Sequence, residues 1–189
     1  MRKLTFEKKA AMEMSVGTIV TIVLLMTVLI LGLVLVKQIF FSGTEIVDLT
    51  TAQLRAEVEK LFSEESKLVI YPTNREVKIR QGNVDGVGLG IKNLLRGTEG
   101  NKVFSYVVTV SDPEIQRKCG VSATEAERWI KTGRAESNII VPVGDFTSGK
   151  VLFEIPVGAP LCTIRFRVNV EAEGAPYASD FFDMIIEAK

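Results

Sequence analysis

Histidine is entirely absent from the 189-residue chain. Its absence removes serine and cysteine hydrolases that rely on a His base, and with them most zinc sites. Cysteine is nearly absent too: Cys119 and Cys162 are the only two, too few to hold a structural metal. Neither sign of charge is in excess, with 23 Lys and Arg against 23 Asp and Glu, and no basic stripe appears beyond residue 42. Nucleic acid is therefore not an expected partner. No Asn-x-Ser/Thr sequon, internal repeat or low-complexity stretch is present.

What the chain does have is a long apolar run. Residues 16–36 (VGTIVTIVLLMTVLILGLVLV) carry no charge. As a helix these roughly 21 positions reach about 31 Å, the thickness of a bilayer hydrocarbon core. The run is longer than the apolar core of a secretory signal, and no small-x-small cleavage site follows at Phe40, Phe41, Ser42 and Gly43. It reads as a helix that spans a membrane or sits in a hydrophobic filament core, with lipid as a partner. Arg2, Lys3, Lys8 and Lys9 precede it against Glu7 and Glu13. Positive residues stay on the cytoplasmic side, so the N-terminus is expected inside and the C-terminal domain outside the cell.

The pattern divides the chain into a basic leader (1–15), the apolar helix (16–41), a juxtamembrane amphipathic helix (42–65) and a β domain (66–189). Two capping boxes are available for the second helix, Ser42 with Glu45 and Thr50 with Gln53, and Leu54, Val58, Leu61 and Phe62 share one of its faces. We favour a break near Gly43, with the second helix starting near Thr50. From Lys67 the period changes to two. Val77 and Ile79, Val87 to Ile91, Phe104 to Val110, Val151 to Ile155, Ile164 to Val170 and Phe182 to Ile186 alternate with polar or small residues. With Leu68 to Tyr71, these runs predict about seven strands of an antiparallel, immunoglobulin-like sandwich. One helical insertion, 122–132, is expected. Ser122 and Glu125 form its capping box, Val121 is the staple, Ala126, Trp129 and Ile130 are the packing face, and Gly133 is the left-handed end. Both cysteines fall in this outer domain, so a disulfide between them is expected, against the alternative of two separate buried thiols.

No constellation for catalysis stands out. Gly86, Gly88 and Gly90 lack the spacing of a dinucleotide loop and read as a flat strand that another backbone approaches. Asn83 and Asp85 resemble part of a calcium loop but lack its further ligands, so a turn is expected. Glu125, Glu127, Asp180 and Asp183 are spaced as solvated charges. No cofactor is expected. On the apolar helix Gly17, Thr21, Val28 and Gly32 fall on nearly one stripe, which would favour close lateral association. Glu13, at the inner edge of the run, is either a solvated carboxylate at headgroup level or a salt-bridge partner for a neighbouring chain.

The order of parts resembles archaeal type IV pilin-like proteins, archaellins among them. Lys8, Lys9, Ala10, Ala11 and Met12, followed by residues 16–20 (VGTIV), look like an archaellin leader junction and the start of its core helix. The same opening is similar to that of single-pass archaeal membrane proteins. The first resemblance implies cleavage between Ala10 and Ala11, a filament core of bundled apolar helices, and immunoglobulin-like heads outside. Two non-enzymatic functions follow. One is a filament subunit that assembles through its apolar helix. The other is an uncleaved, single-pass surface module that presents its sandwich to a protein partner.

Overall fold

The computed structural model describes the backbone of residues 9–41, 46–95 and 101–189, and side chains within 17–35, 46–95 and 101–189. Two compact units result, Met1–Gly43 and Thr44–Lys189. The first holds one helix, α1 (Lys9–Phe41). Its many Val, Ile and Thr residues are mediocre helix formers in water. Where no water reaches the backbone, the helix is favoured because it satisfies every amide internally. Thr21 Oγ1 adds a bond to the Gly17 carbonyl at 2.7 Å, and Thr27 Oγ1 one to Leu24 at 2.8 Å.

The second unit begins with α2 (Thr51–Leu61) and continues through β1 (Leu68–Tyr71), β2 (Glu76–Arg80), β3 (Val84–Lys92) and β4 (Asn101–Val110). Two short helices follow, α3 (Ile115–Cys119) and α4 (Ala123–Glu127). The chain ends with β5 (Ile130–Thr132), β6 (Ala135–Pro142), β7 (Phe146–Glu154), β8 (Thr163–Ala172) and β9 (Ala175–Glu187). The strands form two packed sheets, β1-β3-β7-β5 and β2-β9-β8-β4-β6. Among the described residues all pairings are antiparallel except one: β2 runs parallel to β9, with Val77 opposite Met184 and Ile79 opposite Ile186. That pair corrects the all-antiparallel expectation. Alternation says which face of a strand is buried and nothing about the direction of its neighbour.

Between the sheets the alternate residues meet. Phe153 of β7 packs on Phe166 of β8 and Phe182 of β9, with ring centroids 4.9 and 5.9 Å away, and all three rings are fully buried. A second, smaller core lies on the other face of the four-stranded sheet. There Leu54 and Val58 of α2 join Ile46, Leu49 and Val69, flanked by Phe62, Tyr71 and Phe146. The glycines of β3 make this possible. A Cβ on Gly88 would collide with the Leu54 side chain. One on Gly90 would collide with Val58 and lie 2.9 Å from Phe62 Cζ, closer than real Cβ contacts come. At Gly86 a neighbouring backbone does approach, the Val151 carbonyl of β7. The expected backbone approach thus holds at Gly86, while at Gly88 and Gly90 the neighbours are helix side chains.

Local signals set the ends of α2. Thr50 and Gln53 complete their capping box, with the Thr50 amide donating to Gln53 Oε1 at 2.9 Å and the Gln53 amide to Thr50 Oγ1 at 3.3 Å. The alternative box at Ser42 and Glu45 lies outside the described residues. The insertion expected over 122–132 is helical only over Ala123–Glu127, where Ser122 Oγ accepts from the Glu125 amide at 3.1 Å. Trp129 is buried beyond the helix end, and its carbonyl accepts from the Glu154 amide at 2.8 Å, which draws the chain into β5. Gly133 is left-handed (φ 76°), but it serves the bend from β5 to β6, pressed on the Lys150 carbonyl.

Cys119, at the end of α3, is bonded to Cys162 just before β8, with Cα atoms 5.7 Å apart. The bond closes a separation of 43 residues, which stabilises the fold by about 2–4 kcal/mol through the unfolded chain.

Replacing Gly90 by valine should lower unfolding free energy by about 1–3 kcal/mol, because the side chain must displace Val58 and Phe62. Gly149→Ala, whose added Cβ meets only the Tyr106 hydroxyl at 3.9 Å, should leave denaturant midpoints unchanged. Equal losses at both sites in urea melts would refute the role given to the glycine face.

Candidate functional site

Two features of the described residues merit examination as sites. The first is a cleft of about 490 Å³ lined by Ser111, Asp112, Pro113, Glu114, Lys118, Thr163, Arg165 and Asp183. It forms where the end of β4, the start of α3, and β8 and β9 converge beside the disulfide. Asp112 opens the helical turn by accepting from the Glu114 amide at 2.9 Å. That bond, with help from Lys118 and Arg165, holds its carboxyl below the usual carboxylate range. Arg165 and Asp183 are opposed across β8 and β9, and the guanidinium grips both carboxylate oxygens at 2.8 Å. Lys118 approaches Asp112 at 3.3 Å and Glu114 at 3.7 Å.

The charges of this cleft are thus taken up in pairs. A general acid or base working at neutral pH needs a pKa near 7. Asp112 moves the other way, staying ionised. Ser111 Oγ is buried with no hydrogen-bond partner, so no base is bonded to it. Among the described residues no cluster of three or more Cys, Asp or Glu is arranged to hold a metal.

The carboxylates read from sequence as solvated are more engaged than that. Asp183 binds Arg165, and Asp180, 16% exposed, binds Arg75 at 2.9 Å. Glu127 accepts from the Val110 amide at 3.1 Å and pairs with Arg134. The Glu125 amide donates to the Ser122 cap, and its carbonyl accepts from the Arg128 amide at 3.1 Å. Asp85 lies in β3 and not in the expected turn. Its Oδ1 accepts from the amides of Ile46 at 2.9 Å and Gly86 at 2.8 Å, tying the incoming chain to β3.

The second feature is α1 itself. Over Gly17–Leu35 the mean hydropathy is 2.9 and none of the segment is buried within the chain, so one helix is long and apolar enough to cross a membrane. Gly17, Thr21, Val28 and Gly32 fall within about 60° of one another around the helix at 100° per residue. A Cβ at Gly17 or Gly32 would meet nothing within 4 Å, so both positions are open to a neighbour. Ala10, Ala11 and Glu13 lie on the α1 backbone, and their side chains are outside the described residues. The expectations attached to them, processing and an intermolecular salt bridge, rest there.

Sequence reasoning missed the cleft because its charges come from three separated stretches, residues 112–118, β8 and β9. The one legible signal was Arg165 on the polar face of an alternating strand. Its partner depends on the register of β9, which alternation does not specify.

No family model matches the chain, and no curated protein matches it. A solved structure of Pseudomonas fluorescens alkylpurine DNA glycosylase AlkC, bound to DNA containing an abasic site analogue, aligns at a TM-score of 0.32 and 13% identity. The alignment covers 62% of this chain and 29% of that one, so this chain spans under a third of that protein's length. A likeness so slight carries no functional argument.

One buried group outside the cleft gives a pH signature. Burial, reinforced by Glu136, pushes the Tyr106 phenol up from 10.0 to about 12. The folded state holds this proton more tightly, so the contribution is intact below about pH 10 and is lost as pH rises through about 12. Melting temperatures should therefore fall across that window, and fall less in Tyr106→Phe. Parallel curves for the two proteins would show that Tyr106 is not responsible.

Proposed function

We propose that the chain is a non-enzymatic, pilin-like surface subunit whose apolar helix α1 assembles with copies of itself, leaving the β unit as an outward head. One observation supports this above the others: a fully uncovered apolar cylinder about 28 Å long at Gly17–Leu35. Such a surface needs lipid or other helices around it. The open stripe at Gly17 and Gly32 favours helices. The head is read as immunoglobulin-like from its two sheets and inter-sheet aromatic core, with a parallel edge pair as its departure from that plan. The disulfide fits an oxidising compartment and so an outward head. The cleft offers paired charges and no activated nucleophile, which supports a structural role.

A second reading is an uncleaved single-pass anchor, favoured by the helical backbone at Ala10 and Ala11, which a peptidase would first have to unwind.

Intact mass of the protein extracted from its own membranes separates the two. Loss of residues 1–10, leaving Ala11 first, is the expected result, and such a subunit should also be released by shearing cells. A chain retaining Met1 or Arg2 and leaving only with detergent would establish the anchor instead. In the same material Gly17→Leu should abolish lateral assembly while leaving the disulfide-bonded head folded. Assembly unchanged by that substitution would exclude the Gly17–Gly32 seam.

A further inference from the structure

We propose that residues 112–121 form a flap over the cleft, latched by the Cys119–Cys162 disulfide and released when an external dithiol reduces that bond. The inference concerns the β unit alone and does not depend on how α1 is read. The stretch is anchored at both ends. At one end the Ser111 amide donates to the Arg165 carbonyl of β8 at 2.9 Å. At the other, Ser122 caps α4, whose Ala126 is fully buried. Between these anchors, among the described residues, the hydrogen bonds and ion pairs of residues 112–120 close inside the stretch, the disulfide sulfur apart. The Glu114 carbonyl accepts from the Arg117 and Lys118 amides at 3.0 and 2.9 Å, and the Gln116 carbonyl from the Gly120 amide at 3.0 Å. Glu114 pairs with Arg117 at 2.6 Å, and Lys118 reaches Asp112 and Glu114.

What joins the flap to the sheet is therefore the disulfide and the burial of Ile115, Cys119 and Val121. Apolar burial is non-directional, whereas the bond fixes the Cα atoms of Cys119 and Cys162 at 5.7 Å. Gly120, left-handed at φ 70°, gives the chain a pivot next to the latch. The cleft is a consequence of the latch. Asp112, Glu114 and Lys118 form its flap side, and Thr163, Arg165 and Asp183 its sheet side. Arg165 and Asp183 hold each other and not the flap. Cys119 is buried and Cys162 half-buried, so an incoming thiolate reaches the Cys162 sulfur first. Its attack forms a mixed disulfide at Cys162 and expels the Cys119 thiolate, which takes a proton. The second thiol of the reductant then closes on the first and frees Cys162 as a thiol. Two electrons and two protons pass to the protein, and the dithiol leaves as its own disulfide.

The full chain in detergent micelles is compared by hydrogen exchange, read by mass, before and after treatment with dithiothreitol. Alkylation of an aliquot confirms that both thiols are free. Amides of residues 114–121 should exchange about tenfold faster or more once the bond is open, while those of β8 and β9 keep their rates. The double variant Cys119→Ser/Cys162→Ser should show the fast flap with or without dithiothreitol. The reduced wild-type chain carries the test if that variant does not fold. Unchanged exchange over 114–121 in the reduced chain would overturn the proposal, because burial of Ile115 and Val121 would then suffice to hold the flap. Faster exchange throughout β8 and β9 would overturn it as well, since the bond would then serve the whole fold. So would a bond that dithiothreitol fails to open while the head stays folded.

Discussion

The head depends on side chains that are missing from one face of β3. Val87, Leu89 and Ile91 point between the sheets, while Gly86, Gly88 and Gly90 leave the other face flat. That flatness brings α2 close enough for Leu54 and Val58 to be buried. An eleven-residue helix is marginal in isolation, whatever its cap. Its stability comes from this seat, and the seat exists because Gly88 and Gly90 lack a Cβ. Covered on both faces, the four-stranded sheet becomes the middle layer of the head.

Polar contacts then secure what the packing positions. Asp85 binds the Ile46 amide, and Lys150 Nζ donates to the carbonyls of Val47 and Leu49. Arg55 lies 4.2 Å from the centroid of the Phe146 ring and reaches Asp145 at 3.2 Å. Together they tie the entering chain and α2 to β3 and β7. On the outer face of the other sheet, Arg165 and Arg75 flank the Phe181 ring and bind Asp183 and Asp180. Exposed pairs of this kind add little stability singly. Their effect is to pair the charges on this face, Arg165–Asp183 within the cleft and Arg75–Asp180 outside its lining.

The two units divide the physical labour. α1 carries uncovered apolar surface and three small or hydroxyl-bearing positions on one stripe, with Thr21 already bonded to its own helix. The head buries its apolar residues well, with Val157, Leu161 and Ile140 among the exceptions.

Much was legible from residues alone. The charge-free run marked α1, period-two alternation marked most strands, and Thr50 with Gln53 marked the start of α2, because each is a local preference written within a few residues. β6 was not legible. It is an edge strand, largely exposed, kinked at Asn138 (φ 60°) where its register with β4 shifts, so it lacks the alternation that burial imposes. The extent of the 122–132 helix was misjudged because the Trp129 carbonyl is claimed by β7, a contact between residues 25 positions apart. The cleft was invisible for the same reason, since Asp112, Lys118, Arg165 and Asp183 meet only once β8 and β9 are in register. By itself the sequence determined the elements and their buried faces, through side-chain periodicity and capping. Only the tertiary structure decided strand neighbours, the parallel β2–β9 pair and the charge pairing, because these depend on long-range register, which no local pattern encodes.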